Sequence, residues 1–595
     1  MTTLWRNYLI AAALPSCLLL VGLPASVCCG ATFADGTAAF YPPGFAGGGS
    51  NTAWGDYDND GFPDLMASGL VLHNESGTSF SLASTAISNA IWGDYNNDGN
   101  LDLYGFAGRR LMDGDGAGGF TVVGTNDGKI PTVNPHLALG AAWADLDNDG
   151  YLDIYSGGYE DGFPGPTLPD SIMTYNTGTQ EFDITWSATA GVARGVTAAD
   201  FDRDGDQDIY VSNYRQQANI LWQNDGTGTM TNVAVARNVD GDNPPVAPSL
   251  NAYGHTIGSA WGDMDNDGWL DLFVGNFNHH DGRWSDEAKF MRNPGGPGPF
   301  VQMAELDGAD WQESYATPAL GDYDNDGDLD LYFTTVYGGD APRLYQNDGS
   351  WNFTNVTTAA FPSIGLGPTS QAAWADVDND GDLDLATDGR LFINDASSNG
   401  NHWLKIHLEG DGTTVNSSAI GAQVRVSTGT QTMTRQVEGA TGQGNQNDLT
   451  LHYGLGSYAG LVDIEILWPD GTLRTITDIT TDQLVNAMFA CDVPGDLNCD
   501  GFVGGADLDI IIGHWGQSVT PGELLLGDPS GDGFVGGGDL DFVQANWGNG
   551  VPLVVAAASS VPEPGSLALL TLGGLALLVP RCRYRVKKNT RVQDP

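Results

Sequence analysis

The chain has 595 residues and a net charge of −52, from 75 acidic against 23 basic residues. That balance excludes nucleic acid as a partner. Its 16 Trp, 20 Tyr and 22 Phe exclude wholesale disorder, and the length allows three or four domains. The 83 Gly and few basic residues fit a turn-rich, secreted β protein.

Residues 1–31 read as a signal peptide. Arg6 gives the positive start, Leu9 to Val21 the mostly apolar run, and Ala25 to Ala34 small residues for cleavage. A lipid anchor on Cys28 or Cys29 is disfavoured by Val27 and Cys28 before them.

Residues 32–400 carry one acidic stretch seven times, beginning at Asp56, Asp94, Asp145, Asp200, Asp263, Asp322 and Asp376. Each has oxygen side chains at positions 1, 3, 5 and 9 and Gly at 6. The sets are Asp56, Asp58, Asp60, Asp64; Asp94, Asn96, Asp98, Asp102; and Asp145, Asp147, Asp149, Asp153. There follow Asp200, Asp202, Asp204, Asp208; Asp263, Asp265, Asp267, Asp271; Asp322, Asp324, Asp326, Asp330; and Asp376, Asp378, Asp380, Asp384. The Gly permits the positive φ of a sharp turn, which points the acids at one centre. Hard oxygen donors converging in this way suit Ca2+, with a backbone carbonyl at position 7 (Asp328 in the sixth copy) as a further ligand. Four carboxylates within ~5 Å repel by roughly 0.8 kcal/mol per pair even in water, about 5 kcal/mol per loop. Folding therefore requires abundant cation, and hence a compartment outside the cytoplasm.

The loop starts lie 38, 51, 55, 63, 59 and 54 residues apart, a period that means blades or a solenoid with loops of variable length. Trp54, Trp92, Trp143, Trp261 and Trp374 precede five of the loops. A strand follows each loop, and often an Asx-Gly hairpin, as in Leu344 to Gly349 and Leu221 to Gly226. Four short strands per repeat indicate a β-propeller blade. The seventh repeat stops at Asn394 without an outer strand, and Phe33 to Thr37 resembles the missing piece. The expectation is that this N-terminal segment pairs into the last blade and closes the ring. The loops and hairpins resemble FG-GAP (VCBS) repeats, the integrin-α type of propeller. That resemblance implies Ca2+ between the first two strands of each blade and extracellular recognition, and does not imply catalysis.

Residues 401–489 alternate as strands at His402 to Leu408, Ser418 to Val426, Leu451 to Gly456 and Val462 to Trp468. Their order resembles the ASPIC/UnbV domain that follows FG-GAP repeats, and implies a small β-sandwich. Residues 490–548 hold two loops with oxygen side chains at 1, 3, 5 and 12 and Gly at 6, the EF-hand spacing. They are Asp496, Asn498, Asp500, Asp507 and Asp528, Ser530, Asp532, Asp539. Each precedes an apolar helical pattern ending in Trp-Gly, at Trp515 and Trp547. The pair resembles dockerin repeats, which implies a small α-helical calcium-binding module and a cohesin-like protein partner; a Ca2+-stapled spacer is the alternative.

Residues 549–560 form a small-residue linker. Residues 561–595 comprise Val561 to Gly565, an apolar run from Ser566 to Val579, and a basic tail from Arg581 to Arg591. The run is short for a bilayer span, which needs about 20 residues. The three parts resemble a PEP-CTERM sorting signal, implying transient membrane association followed by removal. Cys491 and Cys499 are close enough in sequence for a local disulfide, with free thiols as the alternative.

No serine elbow, H-E-x-x-H or phosphate loop is present. The nine His are scattered, and His279-His280 read as loop residues rather than a metal site. Tyr159, Phe163, Trp284 and Trp311 could stack on sugar rings or pack locally. The sequence thus reads as all-β: a seven-bladed propeller, a small β-sandwich and a dockerin-like pair. The expected function is exported, calcium-dependent binding or adhesion to a protein or polysaccharide, with no catalytic residues. A polysaccharide-degrading enzyme or its accessory, and a purely structural surface protein, are the alternatives.

Overall fold

The structure is a computed structural model. It describes residues 31–45, 51–123 (less 86 and 88), 129–131, 138–162, 165–241 (less 190), 253–277, 287–305, 314–489 (less 363 and 395), 493–497, 502–519, 527–530 and 533–549. The signal peptide, the linker, the sorting segment, Cys491 and Cys499 lie outside the described residues. Among the described residues no helix is long and apolar enough to cross a membrane.

Seven four-stranded antiparallel sheets follow one another along the chain, an arrangement that fits a propeller. We number them 1 to 7 by their acidic loops. In sheet 6 the first strand, Tyr315–Gly321, runs into the loop, and the second, Asp330–Thr335, leaves it. Arg343–Gln346 and Thr354–Asn355 complete the sheet, and the last of these is only two residues long. First strands neighbour one another in order, and that of sheet 7 returns to that of sheet 1. Both faces of these strands are therefore buried, which is why they are short runs of Ala, Trp, Gly and Leu.

The N-terminal expectation is met. Ala34 and Asp35 pair with Ile393 and Phe392 as the fourth strand of sheet 7. Phe33 anchors this closure. Its ring stacks 4.6 Å from Phe361 and lies in one cluster with Tyr323, Trp374 and Phe392.

Three kinds of side chain recur in linking sheets to their neighbours. The Trp before a loop sends its indole N–H back to the preceding first strand: Trp54 to Ala373 O, Trp92 to Ala53 O, Trp143 to Ile91 O and Trp374 to Ala319 O, at 3.2–3.3 Å. An Asn ending the third strand sends its amide to the carbonyl at loop position 2 of the preceding sheet. Asn74 reaches Val377, Asn224 Leu146, Asn293 Phe201, Asn347 Met264 and Asn394 Tyr323, at 2.6–2.9 Å. The residue at loop position 4 reaches forward. Asn59 bonds Gly99 O, Asn97 Gly150 O, Asn266 Gly327 O and Asn325 Gly381 O, and Asn379 closes the circuit on Gly61 O at 2.8 Å. Sheet 4 carries Arg203 here instead, its guanidinium 5.6 Å from the Trp269 ring centre.

Residues 402–488 form a three-stranded and a four-stranded sheet. Leu404, Ile406 and Leu408 of the first and Val424, Val426, Ile464 and Ile466 of the second belong to one buried cluster, as expected of a sandwich. Within it His402–Glu409 pairs in parallel with Leu484–Met488. This domain is not merely appended to the ring. The same cluster contains Tyr104, Trp143, Ile154 and Val196 of sheets 2 to 4. Its segment 436–448 threads among all seven first strands. Gln436 Nε2 donates to Ala198 O, Trp143 N to Gly439 O and Gly442 N to Ser259 O. Gln446 bonds Thr52, Trp54 and Trp92, Asn445 and Asn447 reach Thr317 and Leu320, and Asp448 N donates to Trp374 O at 3.0 Å. Gly439 lies so close that a Cβ there would meet Trp143 O at 2.0 Å.

The EF-hand-spaced pair has two helices, Gly505–Gly513 and Gly537–Ala545, around Leu497, Val503, Ile511, Val535 and Val543. Val535 N bonds Gln517 O after the first helix, and Val503 N bonds Asn549 O after the second, a reciprocal exchange.

Two measurements check this architecture. Phe33→Ala should destabilise the chain by about 3–5 kcal/mol in equilibrium denaturation, the range for emptying a buried aromatic site. Asn347→Ala strips two buried carbonyls, Met264 O and Leu329 O, of a donor, and should cost about 1–3 kcal/mol in the same assay.

Candidate metal centres in the acidic loops

Each loop turns on two left-handed residues. Position 6 is Gly throughout, with φ between 84° and 100°. Position 4 has φ between 55° and 59° and is Asn in six copies and Arg203 in the fourth. Asn tolerates this region far better than most residues. The Gly was legible in the sequence. The position-4 Asn carries the same signal, and was missed because it lies between the presumed ligands.

Position 1 organises the loop from inside. Asp322 Oδ1 accepts from Asp326 N at 3.1 Å and Oδ2 from Gly327 N at 2.9 Å, and the other six copies repeat this pair. Position 9 ties the loop to the sheet. Asp330 Oδ2 accepts from Tyr323 N and Oδ1 from Asn347 N, at 3.2 and 2.8 Å. Position 5 caps the backbone at position 7, as Asp326 Oδ1 does for Asp328 N at 3.0 Å.

Position 3 differs. In all six loops that have Asp there, Oδ1 is buried without a hydrogen-bond partner: Asp58, Asp147, Asp202, Asp265, Asp324 and Asp378. In several loops the opposite oxygen is clamped. Gln223 and Arg237 hold Asp202 Oδ2, Arg292 and Trp351 hold Asp265 Oδ2, and Gln346 holds Asp324 Oδ2, at 2.6–3.1 Å. His73 Nδ1 stands 3.3 Å from Asp58 Oδ2. A buried bare carboxylate oxygen is costly unless a cation meets it. Carboxylate oxygens of positions 1, 3 and 9 come within 4.8 Å of one another in loops 3, 4 and 5, as do positions 1, 3 and 5 in loop 1. The donor set is all oxygen and fits a hard divalent cation.

Burial, helped by mutual repulsion, pushes several of these acids upward. Asp56, Asp145 and Asp263 rise to about 7, Asp200 and Asp380 to about 8, and Asp64 to about 9, with burial the largest cause in each. Asp322, Asp330 and Asp384 lie well above the ordinary range for the same reason. A carboxyl raised on folding stabilises the fold below its unfolded value near 3.8, and that contribution is lost as pH climbs through the folded value. In calcium-free buffer the melting temperature should therefore fall steadily between pH 5 and pH 9, and saturating Ca2+ should flatten or reverse that slope.

Of the EF-hand-spaced positions, Asn498, Asp500 and Asp532 lie outside the described residues. Asp507 and Asp539 each cap the start of a helix through Gly504 N and Gly536 N at 2.7 Å. Asp528 Oδ2 accepts from Gly533 N at 2.7 Å, and Ser530 Oγ lies 3.1 Å from its Oδ1. Asp496 is buried. Of the aromatics considered for sugar stacking, Phe163, Trp284 and Trp311 lie outside the described residues, as do His279 and His280. Tyr159 sits at the end of the ring opposite the loops, with Arg194 5.9 Å from its ring.

Residues 200–274, 263–333 and 322–387 match the FG-GAP-like repeat family, and residues 412–488 match ASPIC and UnbV. The chain is 25% identical over 371 residues to cartilage acidic protein 1 of Xenopus tropicalis, covering 58% of this chain and 53% of that protein. It is 24% identical over 385 residues to the Mus musculus protein of that name, covering 59% and 55%. The chain thus spans about half the length of the curated relatives it matches. Among solved structures it is similar to BBS1N in complex with ARL6DN, with a TM-score of 0.37 and 12% identity over 61% of this chain and 96% of that one.

Proposed function

We propose that this is an exported calcium-binding recognition protein built on a seven-bladed propeller. Ca2+ in the acidic loops sets the ring, and the ring presents a binding surface for a protein or polysaccharide. The observation that carries the calcium reading is the bare inward oxygen repeated at position 3 in six loops. Isolated defects of this kind are rare in folded proteins, and six at one repeat position point to one recurring ligand. Extracellular loops of this class bind Ca2+ with Kd of roughly 10⁻⁴–10⁻³ M, which agrees with export. The similarity to cartilage acidic protein 1 supports the same placement.

We assign the ligand surface from what the second domain leaves uncovered. The loop end of the ring is covered by the second domain, and segment 436–448 fills the centre. Recognition therefore falls to the opposite rim. There Arg194 and Arg215, both half-buried, hold their guanidinium groups 4.9 and 5.0 Å from the ring of the buried Tyr214. Tyr159 and Tyr337 are half-buried at the margin of the same cluster, which spans sheets 3 to 6. Aromatic rings and arginines together suit sugar faces and acidic groups. The helical pair at 493–549 supplies a second contact. Ile512, Trp515, Phe534 and Trp547 are 47–60% exposed, and fit a cohesin-like protein partner. The terminal segments would serve export and sorting, with transient membrane association.

Chelation should lower the melting temperature by about ten degrees or more, since several weak sites act together by mass action. Asp326→Ala should lower it by less and leave the ring folded, because one loop of seven loses one ligand. An unchanged melting curve in excess EDTA would refute the calcium reading. A glycan array probed with and without EDTA tests recognition. Calcium-dependent signal is expected, and a blank array removes the polysaccharide and leaves a protein ligand.

A further inference from the structure

The second domain does not touch the acidic loops at random. It donates to one particular oxygen, Oδ2 of the position-1 aspartate, in four of them. Thr434 N donates to Asp263 Oδ2 at 3.1 Å, Gly454 N to Asp322 Oδ2 at 2.9 Å and Lys405 Nζ to Asp376 Oδ2 at 2.9 Å. Ser417 Oγ donates to Asp94 Oδ2. These same four oxygens accept their own loop's position-6 amide: Gly99, Gly268, Gly327 and Gly381, at 2.7–3.0 Å. Further contacts grip the loop backbone. His452 Nε2 lies 2.9 Å from Gly381 O, Gly456 N donates to Asn325 O at 2.8 Å, and Arg425 donates to Gly268 O. Gly454 fits so tightly that a Cβ would meet Asp322 Oδ2 at 2.2 Å.

We propose that cation occupancy of the loops in sheets 2, 5, 6 and 7 controls the seating of the second domain, and that cation loss releases it and opens the centre of the ring. This rests on the calcium reading above. The docking donors meet their acceptors only when each loop is curled with its position-1 carboxylate held inward. That curl gathers several acids, and is the conformation a cation favours and their mutual repulsion opposes. One domain bridges four such loops, so the four ions and the docked domain favour one another. By linkage, docking must raise cation affinity by the factor by which the cation strengthens docking, typically 5–150-fold. The loops of sheets 1, 3 and 4 lack a carboxylate contact of this kind among the described residues, and should fill independently.

The test is hydrogen exchange of the full-length chain during stepwise Ca2+ withdrawal, with bound Ca2+ measured in parallel by equilibrium dialysis. The amides of Thr434, Gly442, Gln446 and Gly454 should lose protection at a Ca2+ concentration severalfold above that at which the second strands of the sheets exchange. Ser417→Ala removes a docking hydroxyl without altering a loop ligand. It should raise the Ca2+ concentration for release about threefold or more, while thermal unfolding in saturating Ca2+ shows the ring intact. If bound Ca2+ falls while these amides stay protected, if they exchange in one step with the inner sheets, or if Ser417→Ala leaves the midpoint unmoved, the coupling is wrong and the calcium reading stands. If no Ca2+ binds at all, both fall.

Discussion

Buried carboxylates at one end of the ring are the constraint on which the rest depends. Each position-1 aspartate spends both oxygens on amides of its own loop, and each position-9 aspartate joins the loop to the strands beside it. The acids are thus structural elements first, and their cost is the charge they bring into a dry place. A hard divalent cation would offset that cost, and the bare position-3 oxygens are donors that could meet it.

The same loops set neighbour against neighbour. Position 4 reaches forward to the next loop, and the Asn ending the third strand reaches back to the previous one. Indole N–H groups repeat the backward link near the axis. Each sheet is therefore bonded to both neighbours by at least one side-chain amide or indole that reaches a backbone carbonyl. This circuit explains why the outer strands can be as short as Thr231–Asn232 and Thr354–Asn355 without the sheets separating.

The second domain changes what the ring can be used for. A ring of this type leaves the inner strand edges facing a channel. Here segment 436–448 supplies donors and acceptors to those edges from all around, and glycine at 439 lets it come close enough to do so. Lys405, Ser417 and the amides of Thr434 and Gly454 tie the domain to the position-1 carboxylates of four loops. The opposite rim, with the half-buried Tyr159 and Arg194, has no contact with this domain among the described residues.

The seven acidic loops, the pairing of Ala34 and Asp35 into the last sheet, and four strands of the second domain were legible in the sequence, whereas Thr432–Gln436, Leu473–Ile479 and Leu484–Met488 were not. The legible parts are written in short-range spacing: alternate acids and a glycine within nine residues, or alternation along a strand. Tertiary structure alone decided where the side chains at Asn74, Asn224 and Asn347 go, that Lys405 meets Asp376, and that residues 436–448 lie in the ring rather than beside it. Those partners lie tens to hundreds of residues apart, and nothing local selects them. They become neighbours only when successive sheets pack side by side and, for Asn74 and Val377, when the seventh sheet meets the first; that packing also creates the channel and the loop face against which the second domain lies.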